Sequence, residues 1–294
     1  MPKTENFQWY VERVHGGEFH GHSLTATLAS GQTQFQTYAI VHSIVFGKML
    51  VLDGDTQSAA LDEYIYHEAL THPACASSTP RRALVLGGGE GATVRELLRV
   101  PSIKKVTMVD IDGVVVEACR AHMPEWGAGA FEDSRTELVI GDAKAYIEST
   151  TEKFDVIIGD LTEPLEDSPS YALHTTAMYK AIRGCLNPGG YFALQTSMAG
   201  PHNLSLHARM TATLRAVFAE VSPYATYVPG FDTVWGFALC GDRVDAGSDA
   251  AALRADKHGA ACGGLRFYDA ESHRAMFNLP RYLRDAYRSA VPLT

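Results

Sequence analysis

Apolar and polar positions alternate along this chain with two different periods, and together they predict an α/β fold. Between about residues 20 and 60, β-branched and polar residues alternate, and Gly47 and Asp53-Gly54 supply turn signals typical of antiparallel hairpins. From residue 82 onward, short continuous apolar runs of strand length alternate with stretches of helical period. Strands that alternate with helices of this length predict a doubly wound parallel sheet with right-handed crossovers.

The change of pattern predicts two domains, a small N-terminal antiparallel β domain over 1–61 and a Rossmann-like domain over 62–294. A helix is expected over Asp62–Ala74, with Pro73 closing it. Five strands are then predicted at 83–87, 106–112, 136–143, 154–161 and 191–197, with helices at 92–100, 113–122, 143–150 and 176–186 and a turn at 187–190. The small-residue, polar segment 242–264 is predicted to be a mobile surface insertion.

Composition narrows the class of protein. The chain has 294 residues and a formal net charge of -9, which argues against a nucleic-acid partner and suits cationic small molecules. No apolar leader and no run of 18 apolar residues is visible, so we expect a cytoplasmic protein without a membrane span. The five cysteines form no CxxC pair and the twelve histidines show no ligand spacing, so reduced thiols and no metal are expected.

Candidate ligand-binding residues follow three successive predicted strands. The glycine cluster Gly87–Gly91 lies between a strand and a helix, and Asp110 ends the next strand about 20 residues later, where a carboxylate accepts ribose hydroxyls. Gly141-Asp142-Ala143 ends the third strand at the same edge. The glycine loop carries no phosphate-binding Lys or Arg, which favours a phosphate-free nucleoside such as S-adenosylmethionine over NAD. The predicted nucleoside-binding residues are Gly87, Gly89, Glu90, Asp110, Ile111, Asp142, Ala143 and Asp160.

Two further carboxylates suggest amine chemistry. Asp160 ends the fourth strand and Glu163 follows it, so both are expected beside the nucleoside. A carboxylate can orient a protonated amine and take its proton, which makes Asp160 the candidate catalytic residue. Alternatively, Asp160 caps the loop and Glu163 is solvated.

At this point the sequence resembles a known family. GKMLVLDGDTQSAALDEYIYHEALTHPA, LVLGGGEGATVRELLR, VDID, GDA, FDVIIGDLTEP and FYDAESHRAMFNLPRYL are similar to segments of the polyamine aminopropyltransferases, the spermidine, spermine and thermospermine synthases. The resemblance extends from about Trp9 to Leu283. It implies a sheet of the class I methyltransferase type and decarboxylated S-adenosylmethionine as co-substrate. It also implies a homodimer or homotetramer formed through the N-terminal β domain.

The resemblance also implies roles for single residues. Glu90 would hold the aminopropyl ammonium, Asp110 the ribose and Asp142 with Ala143 the adenine. Asp160 would be the catalytic carboxylate. The other implied residues are Gln36 and Gln57 near the nucleoside and Tyr66, His67, Glu163, Tyr227 and Trp235 around the amine. Packing against the sheet is an alternative role for Tyr66, His67 and Trp235.

Three departures concern the acceptor. Thr37 stands where the family has Asp, Glu163 where it usually has Asp, and His174 where an aromatic residue is usual. Fewer carboxylates near the amine predict weaker use of a long polycation such as spermidine. A methyltransferase, or another S-adenosylmethionine-dependent transferase on this scaffold, is therefore the alternative function, and a silent nucleoside-binding protein is a third.

Overall fold

Two β-sheets organise the molecule, as the computed structural model shows for residues 8–15, 18–164 and 169–293. The first sheet is antiparallel throughout and contains β1 (Gln8–His15), β2 (Glu18–Gln32), β3 (Thr37–Ser43), β4 (Gly47–Leu52) and β5 (Asp55–Ala59), in that order. The antiparallel strands expected from the alternating pattern are confirmed, and β1 precedes the predicted region. The expectation that the chain starts without an apolar leader concerns residues 1–7 in part. These residues lie outside the described ones.

Alternation along β3 and β4 places buried apolar side chains on both faces of the sheet. Val41, Met49 and Val51 pack together on one face. Ile40 and Leu50 point the other way and pack with Trp126, whose Nε1 donates to Ser58 at 2.6 Å. The N-terminal sheet is therefore fixed against the second sheet and its helices.

The second sheet has the strand order β11-β12-β10-β9-β6-β7-β8. Its strands are β6 (Arg82–Gly87), β7 (Lys105–Asp110), β8 (Thr136–Ile140), β9 (Phe154–Asp160), β10 (Leu186–Met198), β11 (Glu220–Val228) and β12 (Thr233–Gly241). β6 to β10 run parallel, whereas β12 is antiparallel to both of its neighbours. The predicted doubly wound sheet is confirmed, with an antiparallel edge that the sequence did not specify. The expected turn at 187–190 lies within β10, where its pairing with β9 shifts register.

Helices cover both faces of this sheet. They are α1 (Glu63–Ala76), α2 (Ala92–Leu98), α3 (Gly113–His122), α4 (Pro124–Gly127), α5 (Ala143–Ser149), α6 (Thr176–Gly184), α7 (Ser205–Arg215), α8 (Asp249–Ala261), α9 (Ala270–Phe277) and α10 (Arg281–Ser289). Two 3₁₀ turns lie at Pro169–His174 and Pro229–Phe231. Among the described helices, none combines the length and the apolar character that a membrane crossing requires.

Pro73 does not end the first helix, contrary to the prediction. α1 continues to Ala76 with Pro73 inside it. A proline lacks the N–H that would bond the carbonyl four residues earlier. Here the Tyr224 hydroxyl donates to that carbonyl, of Ala69, at 2.9 Å. A tertiary contact thus replaces the missing helical hydrogen bond.

The segment 242–264 is also not the mobile insertion that its composition predicted. It contains α8, which buries Ala251, Ala252 and Ala255 and packs on α1 and α9. The Ser248 side chain caps the helix by accepting from the Ala251 N–H. Small side chains here permit close packing of the helix. Composition alone cannot distinguish such a helix from a flexible loop, because both are rich in small residues.

Candidate active site

A cavity of about 610 Å³ lies between the two sheets. The carboxyl ends of β6, β7 and β9 form one wall, and residues of β1, β4 and β5 contribute to the opposite side. Strand order reverses between β6 and β9, and the crevice at such a reversal is where open α/β sheets bind ligands.

The glycine loop closes tightly over β9. Gly87 has φ +80, and a Cβ there would lie 2.2 Å from the carbonyl oxygen of Asp160. A Cβ on Gly89 would lie 3.0 Å from Asp110 Oδ2. Only glycine therefore lets the loop approach the Asp160 backbone and the Asp110 carboxylate this closely.

Asp110 is suited to accept hydrogen bonds from a ligand. Its Oδ1 accepts from the Asp112 N–H at 2.9 Å. Burial, reinforced by the nearby carboxylates of Asp112 and Asp160, raises the pKa of Asp110 to about 6. The carboxylate accepts from the backbone N–H groups of Asp112 and Gly89, and ribose hydroxyls would supply further donors.

Two neighbouring aspartates begin helices beside Asp110. Asp142 caps α5 by accepting from the Lys144 N–H at 2.7 Å. Asp112 caps α3 and also accepts from Gln36 Nε2 at 3.1 Å. The Gln36 bond links the N-terminal sheet to the Rossmann-like domain at the edge of the cavity.

Asp160 is oriented by two hydroxyl groups. Tyr66 donates to Oδ1 at 2.8 Å and Thr93 donates to Oδ2 at 2.6 Å. Burial raises the pKa of Tyr66 well above its usual value, so the phenol keeps its proton and remains a donor. The Asp160 carboxylate is thus fixed at the base of the cavity, with lone pairs remaining for a substrate.

Glu90 belongs to a buried charge network. His67 Nε2 lies 2.8 Å from Glu90 Oε1, and its Nδ1 lies 2.9 Å from Glu63 Oε2. Although burial alone would lower the pKa of His67, these two partners raise it to about 10. The imidazolium therefore donates to both carboxylates. Burial still raises the pKa of Glu90 despite this bond, so a second cation beside it would be favoured.

The side of the cavity formed by the N-terminal sheet is acidic. Glu12, Asp53 and Asp55 line it, with Arg13 as a basic residue among them. Burial raises the pKa of Glu12, and burial together with the neighbouring Asp53 raises that of Asp55. Carboxylates that repel one another in this way attract ammonium groups.

Most of the predicted site residues line this one cavity. These are Gln36, Gln57, Tyr66, Gly87, Gly89, Glu90, Asp110, Ile111, Asp142, Ala143, Asp160, Glu163 and Trp235. Two residues do not. His67 is 1% exposed and lies behind Glu90, because both its nitrogens are used inside the core. Tyr227 points away, 49% exposed, and its hydroxyl bonds Asp232.

The departures from the family pattern lie in different surroundings. The Thr37 hydroxyl donates to Asp53 Oδ1 at 3.0 Å, so it supports a carboxylate of the cavity. His174 is buried against Tyr179, and burial lowers its pKa to about 4. Neither Thr37 nor His174 lines the cavity.

Sequence reasoning missed several lining residues. Glu12 lies on β1, a strand that was not predicted. Ser197 lies one residue before the end of β10, and the strand-end argument applied to Asp160 would have identified it. Ser197 is buried with φ +78, a strained conformation of the kind that accumulates at functional sites. Nothing in the sequence indicates that Thr93 bonds Asp160.

Comparison with family models gives two matches. Residues 63–248 match the model of the spermine/spermidine synthase domain. Residues 8–59 match the model of the spermidine synthase tetramerisation domain. The first range begins at α1 and ends before α8, and the second spans β1 to β5.

Individual relatives are similar over nearly the full length. A polyamine aminopropyltransferase from Sulfolobus acidocaldarius is 41% identical over 94% of this chain and 92% of its own length. Polyamine aminopropyltransferase 2 from Hyperthermus butylicus is 44% identical over 97% and 93% respectively. A crystal structure of spermidine synthase in complex with the transition state analogue AdoDATO superposes with a TM-score of 0.88 and 26% identity, covering 97% of each chain. Spermidine synthase from Thermotoga maritima gives 0.87 and 26%, covering 97% of this chain and 96% of its own.

Proposed function

This chain belongs to the spermine/spermidine synthase family, and we propose that its cavity transfers an aminopropyl group from decarboxylated S-adenosylmethionine to an amine. The observation that carries the proposal is the position of Asp160. Its carboxylate, held by Tyr66 and Thr93, lines the same cavity as the other strand-end residues and the acidic residues of the N-terminal sheet. A donor nucleoside and an acceptor amine would meet there.

The strand ends suit the donor. Asp110 would accept the ribose hydroxyls, and Asp142 with Ala143 would border the adenine. Glu90 would pair with the donor's ammonium, which its raised pKa favours. Holding the donor at several points in this way converts much of its binding energy into orientation of the reacting carbon.

The chemical step needs an unprotonated amine. The amine lone pair attacks the aminopropyl carbon attached to sulfur, and a C–N bond forms as the C–S bond breaks. The bonding electrons pass to sulfur, which neutralises the sulfonium and releases methylthioadenosine. The Asp160 carboxylate takes the proton that the incoming ammonium must lose before the attack and passes it to solvent, and the product nitrogen leaves as an ammonium. Since the sulfonium is already activated, positioning and proton removal are the contributions required of this chain.

We infer that the acceptor is a diamine or polyamine. Glu12, Asp53 and Asp55 line the acidic side, so a second ammonium would find partners there. Thr37 supplies no carboxylate to this side, so the weaker use of spermidine expected from that departure stays a prediction.

An acceptor panel tests this proposal. Each of a monoamine, putrescine and spermidine is incubated with decarboxylated S-adenosylmethionine, and mass spectrometry identifies any amine extended by one aminopropyl unit. We expect kcat/KM to be highest for an acceptor with at least two ammonium groups. Asp55→Asn should raise the KM of that acceptor severalfold while kcat changes little. Equal use of the monoamine and the polyamine would contradict the acceptor assignment.

We also propose a homo-oligomer in the cytoplasm. The match of residues 8–59 to a tetramerisation domain and the exposed Trp9, Phe19 and Val45 support association through the N-terminal sheet. The five cysteines are unpaired, which fits a reducing compartment.

A further inference from the structure

Three potential metal ligands meet in the core, outside the cavity described above. His72 of α1, His258 of α8 and Cys262 just after α8 each offer one donor atom, and these atoms all lie within 4.8 Å of one another. His72 Nδ1 is 3.0 Å from His258 Nε2, and Cys262 Sγ is 3.5 Å from the same nitrogen. Nothing in the proposed aminopropyl transfer requires this cluster.

The surroundings of His72 resemble those of a metal-bound histidine. Its Nε2 lies 2.9 Å from Glu96 Oε2, and both side chains are buried. Glu96 also accepts hydrogen bonds from Arg95 Nε at 2.8 Å and from Arg99 at 3.1 Å. A carboxylate that accepts from two guanidinium groups accepts from His72 as well, so the His72 proton is on Nε2 and Nδ1 faces His258. Metal-bound histidines are commonly oriented by a carboxylate in this way.

Without an ion, the three side chains of the cluster cannot all form good hydrogen bonds with one another. A single hydrogen can join the two imidazoles, and the Cys262 thiol is left with a long contact to the same His258 nitrogen. All three donor atoms nevertheless lie within 4.8 Å of one another. Tyr268 stacks on His72 at 5.9 Å between ring centroids and supports this arrangement.

We propose that His72, His258 and Cys262 bind a divalent transition-metal ion, with Zn²⁺ as the physiological candidate. Two imidazoles and one thiolate form a borderline-soft ligand set that Zn²⁺ prefers. Tetrahedral Zn²⁺ with bonds of about 2.0–2.3 Å separates its ligand atoms by roughly 3.3–3.8 Å. The observed 3.5 Å between sulfur and nitrogen lies within this range, whereas the 3.0 Å between the imidazole nitrogens requires an outward shift of a few tenths of an ångström. The third separation, between His72 Nδ1 and Cys262 Sγ, is at most 4.8 Å. A water molecule completes the coordination.

Proton balance is simple at this site. Cys262 binds as a thiolate, so the ion displaces the thiol proton, which passes to solvent. The imidazoles bind in their neutral forms. Binding therefore releases one proton and adds one net positive charge next to the ionised Glu96.

The ion would join two separate parts of the chain. His258 and Cys262 lie four residues apart at the end of α8, whereas His72 is 186 residues away from His258. The sequence predicts no metal site because a pair at this spacing is common and its third ligand is distant. The metal would secure α8 against α1, the helix that also carries Tyr66.

A Co²⁺ titration of the tag-free, chelator-treated protein tests the proposal. Co²⁺ replaces Zn²⁺ and reports tetrahedral thiolate coordination through a charge-transfer band and visible ligand-field bands. We expect one equivalent to bind with these bands and to raise Tm. Cys262→Ser should remove the charge-transfer band and weaken binding at least about tenfold. Cys185→Ser, which alters another buried free cysteine, is the matched control and should titrate like the wild type.

A second ligand variant keeps the test decisive, and two results would overturn the proposal. If Cys262→Ser is too unstable to titrate, His258→Gln removes a ligand from a half-buried position and should weaken binding by a similar factor. Absence of the charge-transfer band in the wild type would overturn the proposal. So would equal Co²⁺ affinity in the wild type and in either ligand variant. None of these readouts depends on transferase activity.

Discussion

The Asp160 side chain shows how few contacts are needed to prepare a proton acceptor. Tyr66 and Thr93 donate to its two oxygens from different helices, so the carboxylate cannot rotate. An amine approaching the same carboxylate therefore meets an acceptor in a fixed orientation, which lowers the entropic cost of reaction.

Replacing Asp160 by Asn should separate catalysis from binding. Asn keeps an oxygen for Tyr66, and its amide can donate to the Thr93 hydroxyl, so the local shape is preserved. Without the proton acceptor, kcat should fall by roughly 10²-fold or more at saturating substrates. Calorimetry should show methylthioadenosine affinity changed by less than about threefold. Wild-type turnover in this variant would make Asp160 a structural residue.

The pKa of Asp110 gives donor binding a predicted pH dependence. Its folded-state pKa is raised to about 6, so the carboxylate is protonated below that pH and ionised above it. Ribose hydroxyls bind the ionised form, and methylthioadenosine affinity should accordingly increase as the pH rises through 6 and then level off. Using methylthioadenosine excludes Glu90 from the measurement, because this ligand has no aminopropyl ammonium.

Asp110→Asn is the control for that profile. It should weaken methylthioadenosine binding by about 2 kcal/mol at neutral pH and flatten the pH profile near 6. A profile with the same inflection in the variant would assign the titration to another group.

Some of these residues could be predicted from sequence, and the reason is geometric. Asp110, Asp142 and Asp160 lie at or directly after the ends of parallel strands, which all end at one edge of the sheet. His67 could not be excluded from the cavity in the same way. Its environment depends on Glu63 and Glu90, which only the folded chain brings to its two nitrogens.

At the scale of elements, α1 is the most connected helix. Tyr66 reaches Asp160 in the cavity, and six residues later His72 reaches Glu96 and His258 in the core. Between them, the Tyr224 hydroxyl occupies the carbonyl that Pro73 leaves without a helical donor. Disturbing α1 would therefore affect the catalytic cavity and the proposed metal site together.

A double-mutant cycle tests the compensation of Pro73. Tyr224→Phe keeps the ring packing but leaves the buried Ala69 carbonyl without its donor, which should lower the free energy of unfolding by about 1–3 kcal/mol. Pro73→Ala supplies a backbone N–H to the same carbonyl. In that background, Tyr224→Phe should cost measurably less in urea unfolding. Equal costs in both backgrounds would show that the two residues are independent.

Prediction of elements succeeded where apolar runs have strand length and failed where side chains are small. β6, β7 and β9 are continuous apolar runs buried on both faces, a pattern that few other structures produce. α8 is rich in alanine, and its burial depends on the surface of α1 and α9 rather than on its own hydrophobicity. The packing of α8 could therefore not be predicted from its own sequence.

For the whole molecule, the distribution of exposed apolar side chains predicts association. Trp9 of β1, Phe19 of β2 and Val45 in the turn between β3 and β4 are 59%, 68% and 65% exposed. Several large exposed apolar side chains on one domain are typical of an interface. Light scattering at micromolar concentration should therefore give two or four times the 31.9 kDa chain mass. A mass equal to one chain would contradict the proposed assembly.

The central claim is that this molecule transfers an aminopropyl group rather than a methyl group. The most direct measurement offers intact and decarboxylated S-adenosylmethionine together with a polyamine acceptor and identifies the nucleoside product by chromatography. The account predicts methylthioadenosine as the accumulating product, formed from the decarboxylated donor and nearly absent with Asp160→Asn. Accumulation of S-adenosylhomocysteine, with the decarboxylated donor left unchanged, would contradict it.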